Sequence, residues 1–149
     1  MKRRSWTTAE VMNSCAMYHT RKAARAITAL YDQSIAPCGI RATQFSALVA
    51  IAEADGAPVT EIAAELMMDR STLTREMRTL EEAGLVRVTV GADRRSRIPT
   101  LTKKGSQTLA AALPLWAAAQ DEVEERLGGR HWERTLEHLQ MIAGAAKAE

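Results

Sequence analysis

Long apolar runs are missing from this sequence. No stretch reaches the about 18 consecutive apolar residues that a helix needs to cross a bilayer, so no membrane span is expected. The opening M-K-R-R-S-W leads into polar residues rather than a signal-type apolar segment, which makes a cytoplasmic location the expectation. Cysteine is scarce. Cys15 and Cys38 show neither C-x-x-C nor a metal-type spacing, which excludes a structural zinc site and leaves two thiols whose ordinary role is that of small hydrophobes. Catalytic signatures are missing too. His19, His131 and His138 fall on three different helices or helix ends, and no Ser-His-Asp set, H-E-x-x-H, phosphate-cradling Gly loop or paired-carboxylate pattern is present. The chain is expected to be no enzyme and to need no metal and no cofactor.

Repeats, low-complexity tracts and interdomain linkers are absent, so the 149 residues read as a single subunit. Apolar residues make up 46% and charged residues 26%, an ordinary balance that speaks against disorder. The net charge of +2 is too small to argue for a nucleic-acid partner. Its distribution says more. From Arg70 to Lys104 nine basic residues face four acidic ones, whereas from Gly105 onward four basic residues face seven acidic ones.

That basic stretch contains the part of the chain on which the rest is organised, Thr60 to Leu101. T-E-I-A-A-E-L (Thr60 to Leu66) places Ile62, Ala63 and Leu66 on one stripe of a helix. Met67-Met68-Asp69 makes a turn, and Met67 stands where a Gly is usual, so a non-Gly residue at positive φ is expected there. Asp69 is a good N-cap for a second helix that Gly84 ends. At about 100° per residue, Leu73, Met77 and Leu80 point inward together, while Ser71, Arg75, Arg78 and Glu82 point outward. Hydroxyls and guanidinium groups on a rigidly held helix suit a DNA major groove. The plain alternative is a solvated amphipathic helix. Beyond it, L-V-R-V-T-V (Leu85 to Val90) and R-I-P-T-L (Arg97 to Leu101) read as two paired strands, with Pro99 confining the second to an edge. Arg94, Arg95 and Arg97 crowd the turn between them, an arrangement that a nearby polyanion explains better than folding does.

Helix, turn, helix and wing, with D-R-S-T-L-T-R, L-E-E-A-G-L-V, D-R-R-S-R and L-T-K-K-G in that order, resemble the MarR (multiple antibiotic resistance regulator) family of bacterial transcription factors. The resemblance is close from about Ile40 to Gly105 and looser in the flanking helices; Glu76 departs from it, standing where an apolar residue is more usual. It implies an all-α fold with a small β-wing: a winged helix-turn-helix domain over 41–101, flanked by N- and C-terminal dimerisation helices over 8–36 and 102–147. It also implies a homodimer on a pseudo-palindromic site in double-stranded DNA, acting as a repressor. Ser71, Thr72, Thr74, Arg75 and Arg78 would face the major groove. Arg95 would enter the minor groove, its guanidinium held by Asp93, with Arg94 and Arg97 on phosphates; the alternative is an exposed Asp93–Arg95 pair with no further role.

The flanks read as follows. Thr7-Thr8-Ala9-Glu10 fits a capping box that starts one continuous helix near Thr8, running to about Ile35 before Pro37 and Gly39. A second helix from Arg41 to Glu53 carries Phe45, Leu48, Val49 and Ala52 on one side. Thr102 caps a long helix with Leu109, Leu113, Trp116, Gln120, Val123 and Leu127 as its inward row, and Pro114 is expected to bend it. After Gly128-Gly129, a last helix carries Trp132, Leu136, Leu139 and Ile142. Family members bind small effectors, often phenolic or aromatic acids, between the first, second and post-wing helices. By that resemblance Met12, Cys15, His19 and Trp116 are candidate effector-binding residues, and plain dimer core is the alternative. Peroxide sensors in the family use a cysteine supported by two tyrosines. Tyr31 matches one of them, the other falls near Ala42, and Cys15 is about two residues out of register, so thiol-based redox sensing is a minority reading. A winged-helix protein-interaction module that never touches DNA is the competing class.

Overall fold

The computed structural model describes residues 5–146. The first four residues of M-K-R-R-S-W and the expected helix end at 147 lie outside them. Seven α-helices and one two-stranded sheet follow in the order α1 (Thr8–Ser14), α2 (Ala16–Ile35), a 3-10 turn (Ala36–Cys38), α3 (Ala42–Glu53), α4 (Val59–Glu65), α5 (Arg70–Glu82), β1 (Val86–Val90), β2 (Arg97–Leu101), α6 (Lys103–Leu127) and α7 (Gly129–Ala146). The architecture is therefore mostly helical with a small β-wing, as expected. No single helix among the described residues is long and apolar enough to cross a membrane.

The expected continuous N-terminal helix is in fact two. The capping box forms on Thr7 and Glu10, but Cys15 adopts an extended conformation (φ −74°, ψ 114°) and separates α1 from α2. Beside the break, the Ser14 hydroxyl donates to the Glu10 carbonyl at 2.6 Å and Cys15 N–H still donates to Val11 O at 2.9 Å.

The core sits where α2, α3, α4, α5, β1 and α6 converge. Ile35, Leu48, Leu73, Leu80 and Ala112 are completely buried, with Phe45, Ile51, Ile62, Met77 and Val86 packed around them. On α3 the buried set is Phe45, Ala47, Leu48 and Ile51, facing α2, α6 and β2; Ala52, expected inside, is exposed. On α6 the inward residues are Gly105, Ala112, Ala119 and Val123, while Leu113 and Leu127 of the expected row are exposed. This side of α6 packs against α2 and α3, and Leu109, Leu115 and Trp116 pack half-buried against the same core. The helix continues through Pro114. Neither α1 nor α7 has a buried residue, and Leu136, Leu139 and Ile142 keep at least 40% of their surface exposed.

The two turns around α4 and α5 fix the module. Leu66 ends α4, Met67 takes φ 51°, and the Met67 and Met68 N–H groups donate back to the Ala64 and Ala63 carbonyls. This is a Schellman closure made without glycine. The end of α5 repeats it with Gly84 at φ 72°, whose N–H donates to Glu81 and is followed by Leu85 N–H to Leu80. The chain then enters the antiparallel pair, in which Val86 faces Leu101, Val88 faces Pro99 and Val90 faces Arg97. With only two strands each is an edge, so the missing N–H of Pro99 costs no ladder bond on its outer side.

The C-terminal end of α5 is held from α6. The Thr102 hydroxyl donates to Gly84 O at 2.7 Å, Thr102 N–H to Leu85 O at 3.0 Å, and Lys104 Nζ to Ala83 O at 2.7 Å. Gly105 is required at this joint, because a Cβ there would sit 1.9 Å from the Leu85 carbonyl oxygen.

Candidate nucleic-acid interface

Helix α5 starts at Asp69, whose carboxylate gathers the first turn. Its Oδ1 accepts from Thr72 N–H at 2.9 Å and from the Ser71 hydroxyl at 2.5 Å, and its Oδ2 accepts from the Thr72 hydroxyl at 2.5 Å. The Ser71 hydroxyl first, then the Thr72 hydroxyl and N–H, hold this carboxyl well below the usual carboxylate range. The helix is anchored through Leu73, Met77 and Leu80, all essentially buried. The opposite face presents Ser71, Arg75, Arg78 and Glu82 to solvent, as the helical projection anticipates. The Arg75 guanidinium makes no hydrogen bond or ion pair among the described residues, whereas Arg78 Nε donates to Glu82 Oε1 at 2.9 Å.

Thr74 and Arg78 on α5 share a cleft of about 720 Å³ with Asp93, Arg95 and Arg97 of the wing. Thr60, Arg70, Glu81 and Ser96 complete its polar lining. The two acids are occupied by backbone donors. Glu81 Oε1 accepts Val88 N–H at 3.1 Å, and Asp93 Oδ1 accepts Arg95 N–H at 3.0 Å. The cleft's guanidinium groups therefore outnumber carboxylates that are already bonded to main-chain N–H groups, and the cleft is a cationic concavity between helix and wing.

The wing differs from expectation in one respect. Asp93 holds the main chain of Arg95 and not its guanidinium, because a carboxylate two residues upstream lies over the i+2 N–H in an Asx turn. Arg97 braces the same turn, its Nη1 donating to the carbonyls of Arg94 (2.9 Å) and Ser96 (3.1 Å). Arg94 and Arg95 remain exposed at the tip. Among the expected contact residues Ser71, Thr72, Arg75 and Arg94 lie outside the cleft lining. Arg70 lies within it and escaped sequence reading. Its position on the cleft side depends on where the wing folds back, for which the local sequence carries no signal.

A second cavity, of about 240 Å³, opens between α2, α3 and α6. Ile27, Tyr31, Ile35, Phe45 and Trp116 form its apolar wall, with Thr28, Thr43 and Ser46 at its edge, and the Trp116 and Phe45 rings stack 6.2 Å apart. Of the four candidate effector residues, Trp116 lines this cavity. Met12, Cys15 and His19 do not; Met12 and His19 are exposed, and Cys15 is half-buried at the α1–α2 break. The Tyr31 hydroxyl donates to Gln120 Oε1 at 2.5 Å, and Gln120 Nε2 donates to Glu124 Oε1 at 2.8 Å. Burial, and then the Glu124 carboxylate, raise the Tyr31 pKa above that of ordinary tyrosine. Its hydroxyl is thus committed to α6 rather than to either cysteine; Cys15 and Cys38 are free thiols, both half-buried. No cluster of three or more metal-ligating side chains occurs among the described residues.

The sequence profile of the MarR family matches residues 39–96. The chain is similar to the Mycobacterium tuberculosis transcriptional regulator MosR, solved in complex with DNA, at 39% identity over 91% of this chain and 100% of that one, with a TM-score of 0.79. It is similar to the transcriptional repressor CouR, solved with a 23-mer DNA duplex, at 31% identity over 93% and 99% of the two chains and a TM-score of 0.81. CouR has also been solved bound to p-coumaroyl-CoA, with 28% identity to this chain. The transcriptional regulator HosA of Escherichia coli O111:H- is 29% identical over 103 residues, 68% of this chain and 76% of that protein.

Proposed function

Because the chain belongs to the MarR family of transcriptional regulators, we propose that it acts as a homodimer that binds a pseudo-palindromic site in double-stranded DNA and represses transcription until a small effector releases it. The observation that carries this reading is the cationic cleft between α5 and the wing, whose acids are already bonded to main-chain N–H groups. In this reading Arg75, free and outward, reads guanine edges in the major groove. Ser71, Thr72 and Thr74 flank it, and Arg78 exchanges Glu82 for DNA. Arg95 enters the adjacent minor groove from a tip that the Asp93 turn and the Arg97 brace keep in one shape, and Arg94 meets phosphate, as does the exposed remainder of Arg97.

Dimerisation is supported by α1 and α7, which hold no fully buried residue within the subunit and expose apolar side chains. Two-fold symmetry then demands half-sites about 34 Å apart, one turn of the duplex. The effector reading is supported by the aromatic cavity at Trp116, and by a relative solved with p-coumaroyl-CoA. With two subunits, Met12, Cys15 and His19 of α1 and α2 would reach this region from the dimer seam. A regulator of this kind works where the chromosome is, in the cytoplasm.

The test is a salt titration on duplexes enriched from a random library. Binding should weaken linearly in log salt, with a slope set by several phosphate contacts, about −0.9 per contact. An interaction module that ignores DNA would enrich no duplex and show no such slope. Sedimentation at micromolar concentration should give a dimer; a folded monomer would remove the two-fold model.

A further inference from the structure

The hydroxyl groups of the recognition helix have a fixed polarity. An ionised carboxylate and a main-chain carbonyl can only accept. Ser71 and Thr72 therefore spend their single hydroxyl hydrogens on Asp69, and Thr74 spends its own on the Arg70 carbonyl at 2.7 Å. What these three side chains present outward is oxygen lone pairs and, for the threonines, methyl groups. A phosphate oxygen is likewise only an acceptor, so none of the three can bond phosphate without giving up its partner in the helix. In the major groove the complementary donors are the amino groups of adenine N6 and cytosine N4.

We propose that Asp69 is a positioning residue for base readout: by fixing Ser71 and Thr72 as acceptors, it makes the first turn of α5 select amino bases, adenine or cytosine, over keto bases, guanine or thymine, on the strand that this turn faces. The inference rests on the DNA-binding reading above and deepens it, because hydroxyls at a helix start are otherwise assigned to phosphates. Asp69 also keeps phosphate away from the turn, since its exposed carboxylate occupies the N–H group that an anion would use.

The two roles open to Asp69, cap and polarity setter, separate in Asp69→Asn. The amide oxygen can still accept Thr72 N–H, so the helix keeps its cap. The amide nitrogen takes the place of Oδ2 and donates to the Thr72 hydroxyl, whose hydrogen is then free to point at a keto oxygen. The experiment enriches duplexes from a randomised library on the full-length wild type, Asp69→Asn and Thr72→Val at one salt concentration, with thermal unfolding of each. Wild type should favour adenine or cytosine beneath the first turn, and Asp69→Asn should reduce or reverse that preference roughly two- to tenfold, the scale of one hydrogen bond. Thr72→Val, which keeps the shape and loses the acceptor, should flatten the same position and leave the others. An Asp69→Asn protein that enriches the wild-type sequence with uniformly lower affinity would make Asp69 a cap alone and overturn the proposal. Should Asp69→Asn not fold, Thr72→Val decides: equal weakening on all sequences would place its hydroxyl on phosphate and overturn it as well. A wild type that enriches no sequence would instead bring down the DNA-binding reading itself.

Discussion

Replacing Gly105 by alanine tests whether the recognition helix is held from the long helix behind it. The new methyl would lie 1.9 Å from Leu85 O and 2.9 Å from Leu85 C, both main-chain atoms, where real contacts stay beyond 3.0 Å. Relief requires α6 and the Gly84–Leu85 turn to part by about an ångström. That movement stretches the Thr102 N–H bond to Leu85 O, the Thr102 hydroxyl bond to Gly84 O and the Lys104 bond to Ala83 O. Overpacking costs about 1–3 kcal/mol, and each weakened hydrogen bond up to about 1 kcal/mol. The better helix propensity of alanine returns about 1 kcal/mol. The net loss should be about 2–4 kcal/mol, read as a lower denaturant midpoint at matched protein concentration. Gly129→Ala, at the first residue of α7 with nothing within 4 Å, is the control and should leave the midpoint unchanged or raise it by up to about 1 kcal/mol. Equal stability of Gly105→Ala and wild type would refute the joint. A destabilised Gly105→Ala that still binds its DNA normally would show that the joint does not set the pose of α5.

Three further outcomes are expected. Met67→Gly should stabilise the protein by about 1 kcal/mol, because Met67 is held at φ 51° and an L-residue with a Cβ bears about that cost in the left-handed region; a denaturant midpoint that falls would contradict it. Arg95→Ala should leave folding and dimerisation unchanged and weaken operator binding by about 1–3 kcal/mol, with Asp93→Ala showing a smaller loss through the released Arg95 N–H; wild-type affinity for Arg95→Ala at matched salt would refute the wing assignment. Changing Cys15 and Cys38 together to serine should leave DNA affinity within about threefold of wild type and no peroxide response to lose. Release of the wild type by peroxide, absent in the double variant, would establish thiol sensing instead.

Much of the module was legible because short-range rules govern it. The Asp69 cap, the Gly84 stop, the burial of Leu73, Met77 and Leu80, and the strand over Arg97 to Leu101 all follow from local chemistry and helical period. Even the positive φ of Met67 could be read from its place in the turn. What escaped depends on atoms brought together from a distance or on competition between close alternatives. The break at Cys15 carries no local signal, since Ser46, Thr74 and Thr135 make the Ser14 type of back-bond inside unbroken helices. Leu113 and Leu127 are exposed while Leu109, Leu115 and Trp116 of the same helix pack on the core, a choice of face set by where α2 and α3 lie. At the site, the residue types and the face were readable, but their hydrogen-bonding states were not. Arg97 as a brace, Asp93 on a main-chain N–H and Arg70 in the cleft emerge only once the wing is folded against α5.

The most direct test of the central claim is hydroxyl-radical footprinting of the wild type on its enriched duplex, beside Arg75→Ala. A homodimer reading DNA through α5 and the wing should protect two symmetric segments about one helical turn apart, and Arg75→Ala should weaken both together. Protection of a single unrepeated segment, or equal protection by both proteins, would contradict the account.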